Sequence, residues 1–326
     1  MVIRMIHNQH YNTIYIASCC EKGGIYCYHL FDDGTLKFLD FVPMGRPMYM
    51  VKSEEKLYVL LRSPFSDSSE SGLIVYEIDE FGKLKNPSEI VSTKGEVACH
   101  LCVHGHDVYC TNYISGNIIK MPFGLVQHRG SSIHPSRQSG PHPHYVGMTS
   151  DQNFVFVTDL GLDTIFLYDT DLHFISKASV PQGHGPRHLA VKENYIYCAN
   201  ELKSSLSVFE YQKGTLEYQN TIEILPADFD GLSMVSAIRT KDDFCYIANR
   251  GHDSISVLDL KNKLHPEIIK TVPCGGNSPR DFNIVDDILI CANEQSDNVS
   301  FFKIVNGIPQ KLNHMLKIKS AFCVSY

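Results

Sequence analysis

Short runs of apolar residues alternate with polar turns along the whole chain, and the apolar runs repeat. Seven of them share one order of aromatic, β-branched and small residues: NTIYIAS, KLYVLLR, DVYCTNY, FVFVTDL, YIYCANE, FCYIANR and ILICANE. They begin at residues 12, 56, 107, 154, 195, 244 and 288, so the period is 41 to 51 residues. A period of this length is typical of a fold built from repeated supersecondary units.

Each repeat predicts an antiparallel sheet of four strands. A turn rich in Gly, Asp, Asn or Ser follows every run and leads to a second apolar run, as in GIYCYHL and DTIFLYD, which is the pattern of a β-hairpin. Polar turns such as DDGTLKFLDF and QKGTLEYQNTI open a third strand, and a short apolar stretch such as HLAV precedes each hairpin. Seven such units predict an all-β, seven-bladed β-propeller.

The two ends of the chain predict how the ring of blades closes. The first repeat has no clear innermost strand before its hairpin, whereas the chain ends with SAFCVSY, which resembles the stretches that precede the other hairpins. We expect this C-terminal strand to pair with the strand near Asn12–Ser18, which leaves no free sheet edge. The period continues through RGSSIHPSRQSGPHPH, so we interpret that segment as a long outer loop and residues 1–326 as a single domain.

Composition argues against several classes of partner. The 326 residues carry a net charge of −7, which offers no basic field for DNA, RNA or an anionic membrane. We find no apolar run of about 18 residues, and the start MVIRMIHNQH lacks the apolar core of a signal peptide. We therefore expect a cytoplasmic protein that acts on a small molecule. The charge gives no guide to the oligomeric state.

The eleven cysteines read as buried thiols rather than as a disulfide framework. Cys110, Cys198 and Cys291 lie in strand runs at places where other repeats carry Ile16, Val59, Val157 and Ile247. A free cysteine behaves as a small apolar residue in such positions. This use of cysteine is typical of a reducing compartment.

Two sets of repeat positions are expected to meet at one end of the blades, because the strands of a hairpin are antiparallel. Residues that directly follow the seven runs form the first set: Cys19, Arg62, Tyr113, Leu160, Glu201, Arg250 and Glu294. Residues that begin the preceding stretches form the second: Tyr49, His100, His144, His188, Ala237 and Asp281, with Arg187 and Arg280 just before two of them. Ring closure would gather these polar side chains around one central opening.

Some residues of these two sets could have a structural role instead of a role in a functional site. A pair such as Arg62 and Glu294 could form a salt bridge that closes the channel, and polar residues at strand ends often cap turns. The turn candidates are Asn112, Asp159, Asn200, Asn249 and Asn293. Two His-x-His pairs, His104/His106 and His142/His144, have a spacing that a strand could use for metal, but no carboxylates complete a coordination shell. We expect neither a metal nor another cofactor, and no nucleophile elbow or phosphate-binding glycine loop occurs.

The motifs resemble those of a known family in content and in order. PHPHYVGMTSDQNFVFVTDLGLDTIFLYD, GHGPRHLAV, YIYCANEL, NRGHDSISVL and NSPRDFNI together resemble the seven-bladed β-propeller lactonases. That family includes bacterial 6-phosphogluconolactonase and is similar to fungal carboxy-cis,cis-muconate cyclase. The resemblance implies metal-independent hydrolysis of 6-phosphoglucono-1,5-lactone, a step of the pentose phosphate pathway in carbohydrate metabolism.

The resemblance also implies roles for individual residues. The catalytic set would be His144 in PHPH, Arg187 in GPRH and Glu201 in ANE. Substrate binding would fall to Arg250 in NRG and to Arg280, with His188 and Asp159 as further candidates. The chain departs from the family at Ser236-Ala237-Ile238, where members commonly have Ala-Glu-Ile, so a role of that Glu is absent here or falls to Glu201.

We expect ring opening by general acid and base catalysis, with either Glu201 or His144 as the base. Arg187 would stabilise the developing oxyanion, and Arg250 and Arg280 would hold the phosphate. Three alternatives stay open at this point: a lactone without phosphate or with a carboxylate, a metal-dependent lactonase, and a non-catalytic propeller that serves as an interaction platform.

Overall fold

The computed structural model describes residues 10–326, whose strands form seven antiparallel sheets. In five of the seven sheets, the strands lie side by side in the order in which they follow one another along the chain. Each innermost strand also contacts the innermost strands of the two adjacent sheets, and the last contacts the first. The sheets are therefore the blades of a closed ring around a central channel, which confirms the predicted seven-bladed β-propeller.

The strands are numbered in chain order. Those of the first three blades are β1 (Tyr11–Ser18), β2 (Gly24–Phe31), β3 (Leu36–Pro43), β4 (Pro47–Ser53), β5 (Lys56–Leu61), β6 (Glu70–Ile78), β7 (Leu84–Lys85), β8 (Val91–Glu96), β9 (Ala98–His104), β10 (Asp107–Asn112), β11 (Asn117–Met121) and β12 (Leu125–Gln127).

The next two blades contain β13 (Pro143–Met148), β14 (Phe154–Asp159), β15 (Thr164–Asp169), β16 (Phe174–Ser179), β17 (Pro186–Lys192), β18 (Tyr195–Asn200), β19 (Ser205–Gln212) and β20 (Thr215–Glu223). The last strands are β21 (Met234–Lys241), β22 (Phe244–Arg250), β23 (Ser254–Asp259), β24 (Glu267–Pro273), β25 (Pro279–Val285), β26 (Ile288–Asn293), β27 (Asn298–Val305), β28 (Ile308–Lys317) and β29 (Ala321–Ser325). Among residues 10–326 the one helical segment is a 3₁₀ turn, Leu160–Leu162. No helix in this range is long and apolar enough to cross a membrane.

The second blade differs from the others at its outer edge. Its outermost strand is divided into β7 and β8, which both pair with β6. Pro87 lies between them and has no backbone N–H to donate, and Asn86 before it has a left-handed φ of 46°. These two residues interrupt the ladder without changing the number of layers in the blade.

The core consists of seven apolar clusters, one between each pair of adjacent blades. Four fully buried tyrosines also connect neighbouring blades through hydrogen bonds. Each donates its hydroxyl to a turn carbonyl of the next blade, at 2.7 to 3.0 Å: Tyr15 to Gly82, Tyr109 to Thr170, Tyr197 to Lys263 and Tyr246 to Gly307. Burial of one such side chain contributes about 1.5–3 kcal/mol, so these contacts hold the blades in a fixed angular relation.

Where it pairs with the next strand, every innermost strand has one residue more than its partner. In all seven blades the pairing register shifts at the same place, close to where the innermost strand begins and the strand paired with it ends. Six of the extra residues are Met48, Cys99, His144, Arg187, Arg280 and Phe322, and in the sixth blade Ser236 and Ala237 lie opposite Ala248. Such a β-bulge turns a side chain away from the regular ladder.

The first blade is completed by both ends of the chain. Strand β29 pairs antiparallel with β1, with Val324 opposite Ile16 and Cys323 opposite Ala17. Val324 is 2% exposed and packs in the cluster between the first and last blades. The predicted closure by the C-terminal strand is confirmed.

Substitution of Val324 tests how much the closure contributes to stability. We expect Val324→Asp to lower the free energy of unfolding by more than about 3 kcal/mol, because it buries a carboxylate without a partner. Tyr326→Asp is the control, since Tyr326 is 45% exposed and lies outside the strand. Urea unfolding followed by circular dichroism measures both, and equal midpoints for the two variants would contradict the expectation.

Candidate active site

The bulged residues of the innermost strands form the wall of the channel near one mouth. Met48, Cys99, His144, Arg280 and Phe322 line a cavity of about 380 Å³ there, and Arg187 lies directly beneath it. In four blades a proline precedes the bulged residue: Pro47, Pro143, Pro186 and Pro279. Proline is tolerated at a bulge because the ladder hydrogen bond is already absent there. The motifs GPRH and SPRD therefore place an arginine in the channel.

Residues that follow the second strand of each blade complete the mouth. Glu201 comes directly after β18 and its backbone N–H donates to Gly185 O at 2.7 Å, which fixes the carboxylate over the channel. The other lining residues with this position in the repeat are Arg62, Tyr113, Arg250 and Glu294. The two sets of repeat positions singled out in the sequence thus meet at one end of the propeller.

Glu201 is the centre of the polar network, and its side chain is 4% exposed. Arg187 Nε lies 2.9 Å and Arg250 Nη2 2.8 Å from the same oxygen, Oε2. The other oxygen, Oε1, accepts a short hydrogen bond from Arg137. Burial disfavours the charged carboxylate, but the positive charges of Arg250 and Arg187 outweigh this and hold the pKa of Glu201 well below its ordinary value.

Two of these arginines also hold the backbone of the sixth blade. Arg187 Nη1 donates to Ser236 O at 2.5 Å, and Arg250 Nη2 donates to Val235 O at 3.1 Å. Ser236 begins the segment Ser236-Ala237-Ile238, and Val235 directly precedes it. Since Ala237 has no carboxylate to offer, Glu201 is the acidic partner of these guanidinium groups.

The mouth carries an excess of positive charge. Five arginines and three carboxylates, Glu201, Glu294 and Asp281, line the mouth and the void beneath it, and Asp281 pairs with Arg239. Among residues 10–326 no carboxylate lies within 4.0 Å of Arg62 or Arg280. Arg280 instead stacks on Phe322, with 4.6 Å between its Cζ and the ring centroid. Burial, together with the nearby charges of Arg280 and Arg250, lowers the pKa of Arg187 to about 9. The salt bridge considered for Arg62 and Glu294 does not form.

His144 lies beside the arginines as a neutral base. It is 5% exposed, and its Nδ1 makes no hydrogen bond to any residue in 10–326. Burial and the charge of Arg187 hold its pKa well below the ordinary value. His144, Arg187 and Arg280 border a void of about 10 Å³, close to the smallest volume that holds a water molecule. The structure thus brings a base, a space for water and two cations together.

Aromatic rings close the channel below this void. Tyr49, His100, Tyr145 and His188 come from four consecutive blades, and the ring centroid of His100 lies 4.3 to 5.0 Å from those of the other three. His188 is 3% exposed and neither of its ring nitrogens has a hydrogen-bond partner in residues 10–326. A second cavity of about 380 Å³ opens beyond these rings, at the opposite mouth.

The structure brings six of the seven predicted site residues to the channel. His144, Arg187, Glu201, Arg250 and Arg280 surround one mouth, and His188 lies at the floor. Asp159 lies elsewhere and lines neither of these spaces. Its fully buried carboxylate accepts from His142 N at 2.7 Å and Gly161 N at 3.0 Å and pairs with His128 Nδ1 at 2.6 Å.

The alignment of the repeats also needs one correction. His144 belongs with Arg187 and Arg280 among the bulged residues, whereas Tyr145 occupies the position of His188. Sequence spacing alone does not reveal this shift of one residue, because a bulge adds a residue without changing the flanking apolar pattern.

Arg137 is a further residue of this mouth, which the repeat pattern did not single out. It lies in the polar segment between β12 and β13, which was interpreted as an outer loop, yet its guanidinium reaches Glu201. The segment has no counterpart in the other repeats, so alignment of the repeats does not point to Arg137. The surrounding Pro, His and Gln residues give no signal that sets it apart from Arg129 on the same segment.

Comparison with known proteins agrees with this arrangement. A family model described as "Lactonase, 7-bladed beta-propeller" matches residues 13–326. An uncharacterized protein of Staphylococcus aureus strain N315 is 31% identical over 312 residues, which covers 87% of this chain and 90% of that protein.

Solved structures with the same fold include two sugar-lactone proteins. The periplasmic gluconolactonase of Pseudomonas aeruginosa has a TM-score of 0.87 and 21% identity, and the match covers 96% of this chain and 98% of that one. A candidate 6-phosphogluconolactonase of Bacteroides fragilis has a TM-score of 0.87 and 21% identity over 98% of both chains. At these identities the likeness concerns the fold alone.

Removal of the central carboxylate tests the charge balance of the mouth. We expect Glu201→Gln to lower the free energy of unfolding by about 3–5 kcal/mol, because three neighbouring guanidinium groups lose their shared anion. Glu294→Gln is the matched control, since that carboxylate lines the same cavity but pairs with no cation in residues 10–326. Equal urea midpoints for the two variants would show that Glu201 does not balance the arginines.

Proposed function

Because the chain belongs to the seven-bladed β-propeller lactonase family, we propose that it hydrolyses the ester ring of an anionic sugar lactone. The first substrate to test is 6-phosphoglucono-1,5-lactone, and the reaction would then belong to the pentose phosphate pathway. The observation that carries the proposal is the pairing of a neutral buried His144 with arginines that outnumber the carboxylates around it. Such a mouth favours an anionic ester over a neutral one.

His144 acts as the general base in this proposal. A water molecule in the small void gives a proton to the imidazole while its oxygen bonds to the carbonyl carbon of the lactone. Glu201 is the weaker choice, since a carboxylate held by three guanidinium groups has little affinity for a proton. Its role is to hold Arg187 and Arg250 in place.

Arg187 and Arg280 stabilise the negative charge that forms on the carbonyl oxygen. When the carbonyl re-forms, the bond to the ring oxygen breaks, and the imidazolium of His144 returns the proton to that oxygen. The arginines supply the positive charge that a metal ion supplies in other hydrolases. The phosphate or another anionic group is held by Arg250 and by the guanidinium groups that face the open cavity.

We place the protein in the cytoplasm because all eleven cysteines are free thiols. Cys99 and Cys102 have a C-x-x-C spacing, but both are free thiols, and Cys99 Sγ lies against Pro143 O and His144 O of the next blade. Burial also raises the pKa of both thiols to about 11, which keeps them protonated and unreactive.

Kinetics of two variants test the assignment of the base and the oxyanion partner. We expect His144→Gln and Arg187→Ala each to lower kcat/KM for 6-phosphoglucono-1,5-lactone by about 100-fold or more, after subtraction of spontaneous hydrolysis. His173→Gln and Arg129→Gln are matched controls on exposed turns and should stay near wild type. Values for both site variants within about threefold of wild type would reject the assignment.

The same assay carries two further arms. EDTA should leave the wild-type rate unchanged, because the proposed chemistry uses no metal. Unphosphorylated glucono-1,5-lactone should be a poorer substrate than the phosphorylated compound. A faster rate with the neutral lactone would point to a different substrate for the same chemistry, and no rate above background with any lactone would favour a non-catalytic propeller.

The pH dependence tests the protonation state of His144. The pKa of this imidazole is lowered, so its neutral, basic form persists below the ordinary histidine pKa of about 6.5. We therefore expect kcat/KM to stay constant from pH 8 down through about 6.5 and to fall only in more acidic solution. A half-maximal rate near pH 6.5 would instead indicate an exposed histidine as the base.

A further inference from the structure

Arg137 differs from the other two arginines that hold Glu201. Arg187 and Arg250 have side chains that are 3% and 10% exposed, and both donate to backbone carbonyls of the sixth blade. The side chain of Arg137 is 33% exposed and comes from a loop. Its other polar contacts are Tyr113 OH at 3.2 Å and Met234 Sδ at 3.7 Å. Arg137 can therefore change partners without the loss of a backbone contact.

The backbone that carries Arg137 is fixed by buried hydrogen bonds. Gln138, the next residue, is fully buried and donates to Leu160 O at 2.9 Å and to Asp163 Oδ1 at 2.7 Å. Ser132 Oγ donates to Asp163 Oδ2 at 2.5 Å. The guanidinium of Arg137 is thus presented at the mouth by a segment that is ordered before any ligand arrives, which lowers the entropy cost of binding.

The surroundings of Arg137 indicate what it would bind. On the channel side it faces Glu201, and on the solvent side it faces the open part of a cavity with excess positive charge. A guanidinium with free N–H groups forms paired hydrogen bonds with phosphate or carboxylate. The ester carbon lies deeper, beside His144, so Arg137 is placed for a group at the far end of the same substrate.

We infer that Arg137 is a specificity-determining residue, which binds the anionic substituent of the lactone remote from the ester. The inference rests on the proposed function, because it assigns the outer end of the substrate to this loop. When Arg137 contacts the substituent, its hydrogen bond to Glu201 Oε1 weakens, while Arg187 and Arg250 retain their contacts with Oε2. The anionic group is a phosphate monoester or a carboxylate, which share this chemistry.

Arg137→Gln and Arg137→Lys test the inference with three lactones, one phosphorylated, one bearing a carboxylate and one neutral. For the anionic substrate we expect Arg137→Gln to lower kcat/KM about 10- to 100-fold, mainly through a higher KM, with less than about threefold change for the neutral one. Arg137→Lys should recover part of the loss, since it keeps the charge. Arg129→Gln, an exposed residue of the same loop, should match wild type with all three.

Equal losses of kcat/KM for the anionic and neutral lactones would overturn the inference, because Arg137 would then only support Glu201. The comparison of the phosphorylated and carboxylate lactones shows which anion the loop selects, and selection of either supports the inference. Unchanged KM for every lactone in Arg137→Gln would overturn it as well.

Binding of inorganic phosphate and of 6-phosphogluconate, measured by calorimetry, separates this inference from the proposed function. If the wild type hydrolyses no lactone, the proposed function fails and the binding data decide the role of Arg137. A loss of about tenfold or more in phosphate affinity for Arg137→Gln, with Arg129→Gln unchanged, supports the anion site. Equal affinities in wild type and Arg137→Gln, or no binding to the wild type, would overturn it.

Discussion

One extra residue in each innermost strand determines both the channel and the chemistry at its mouth. In a regular strand every residue would pair with a residue of the neighbouring strand, and successive side chains would point to opposite faces of the blade. The bulge breaks this alternation at the same height in all seven blades. Side chains as different as Met48, His144 and Arg187 therefore face one space. The ring of blades determines where these side chains lie, and each blade contributes a different side chain.

The second constraint is electrostatic. Arginines this close together repel one another, and burial adds a cost, as the lowered pKa of Arg187 shows. Glu201 offsets part of that repulsion and fixes the orientation of its partners, but it does not neutralise the mouth. An anionic substrate would neutralise the remaining positive charge of Arg280 and Arg62. The stability of the mouth and the proposed recognition of an anionic substrate would thus depend on the same excess of positive charge.

The repeat made most of the fold predictable from the sequence. Seven copies of one apolar pattern gave the blades, and the tail SAFCVSY gave the closure. The site was predictable where it coincided with the repeat, as for Glu201 and Arg250. The site was not predictable where the bulge shifts the alignment of the repeats by one residue. His144 was grouped with His188 for this reason. The sequence offered two roles for Asp159, a turn cap and a substrate contact, and its hydrogen bonds to His142 N and Gly161 N are those of a cap. Arg137 was not singled out because its loop lies outside the period.

The aromatic floor of Tyr49, His100, Tyr145 and His188 lies between the mouth that carries the arginines and the cavity at the opposite end of the channel. In the proposed reaction, a substrate that binds at this mouth would leave as product past the same arginines. Opening a lactone creates a new carboxylate, so the product is more strongly anionic than the molecule that arrived. Under the proposed function, this acid would bind the arginines more tightly than the lactone, and turnover would then depend on how fast a following enzyme consumes it.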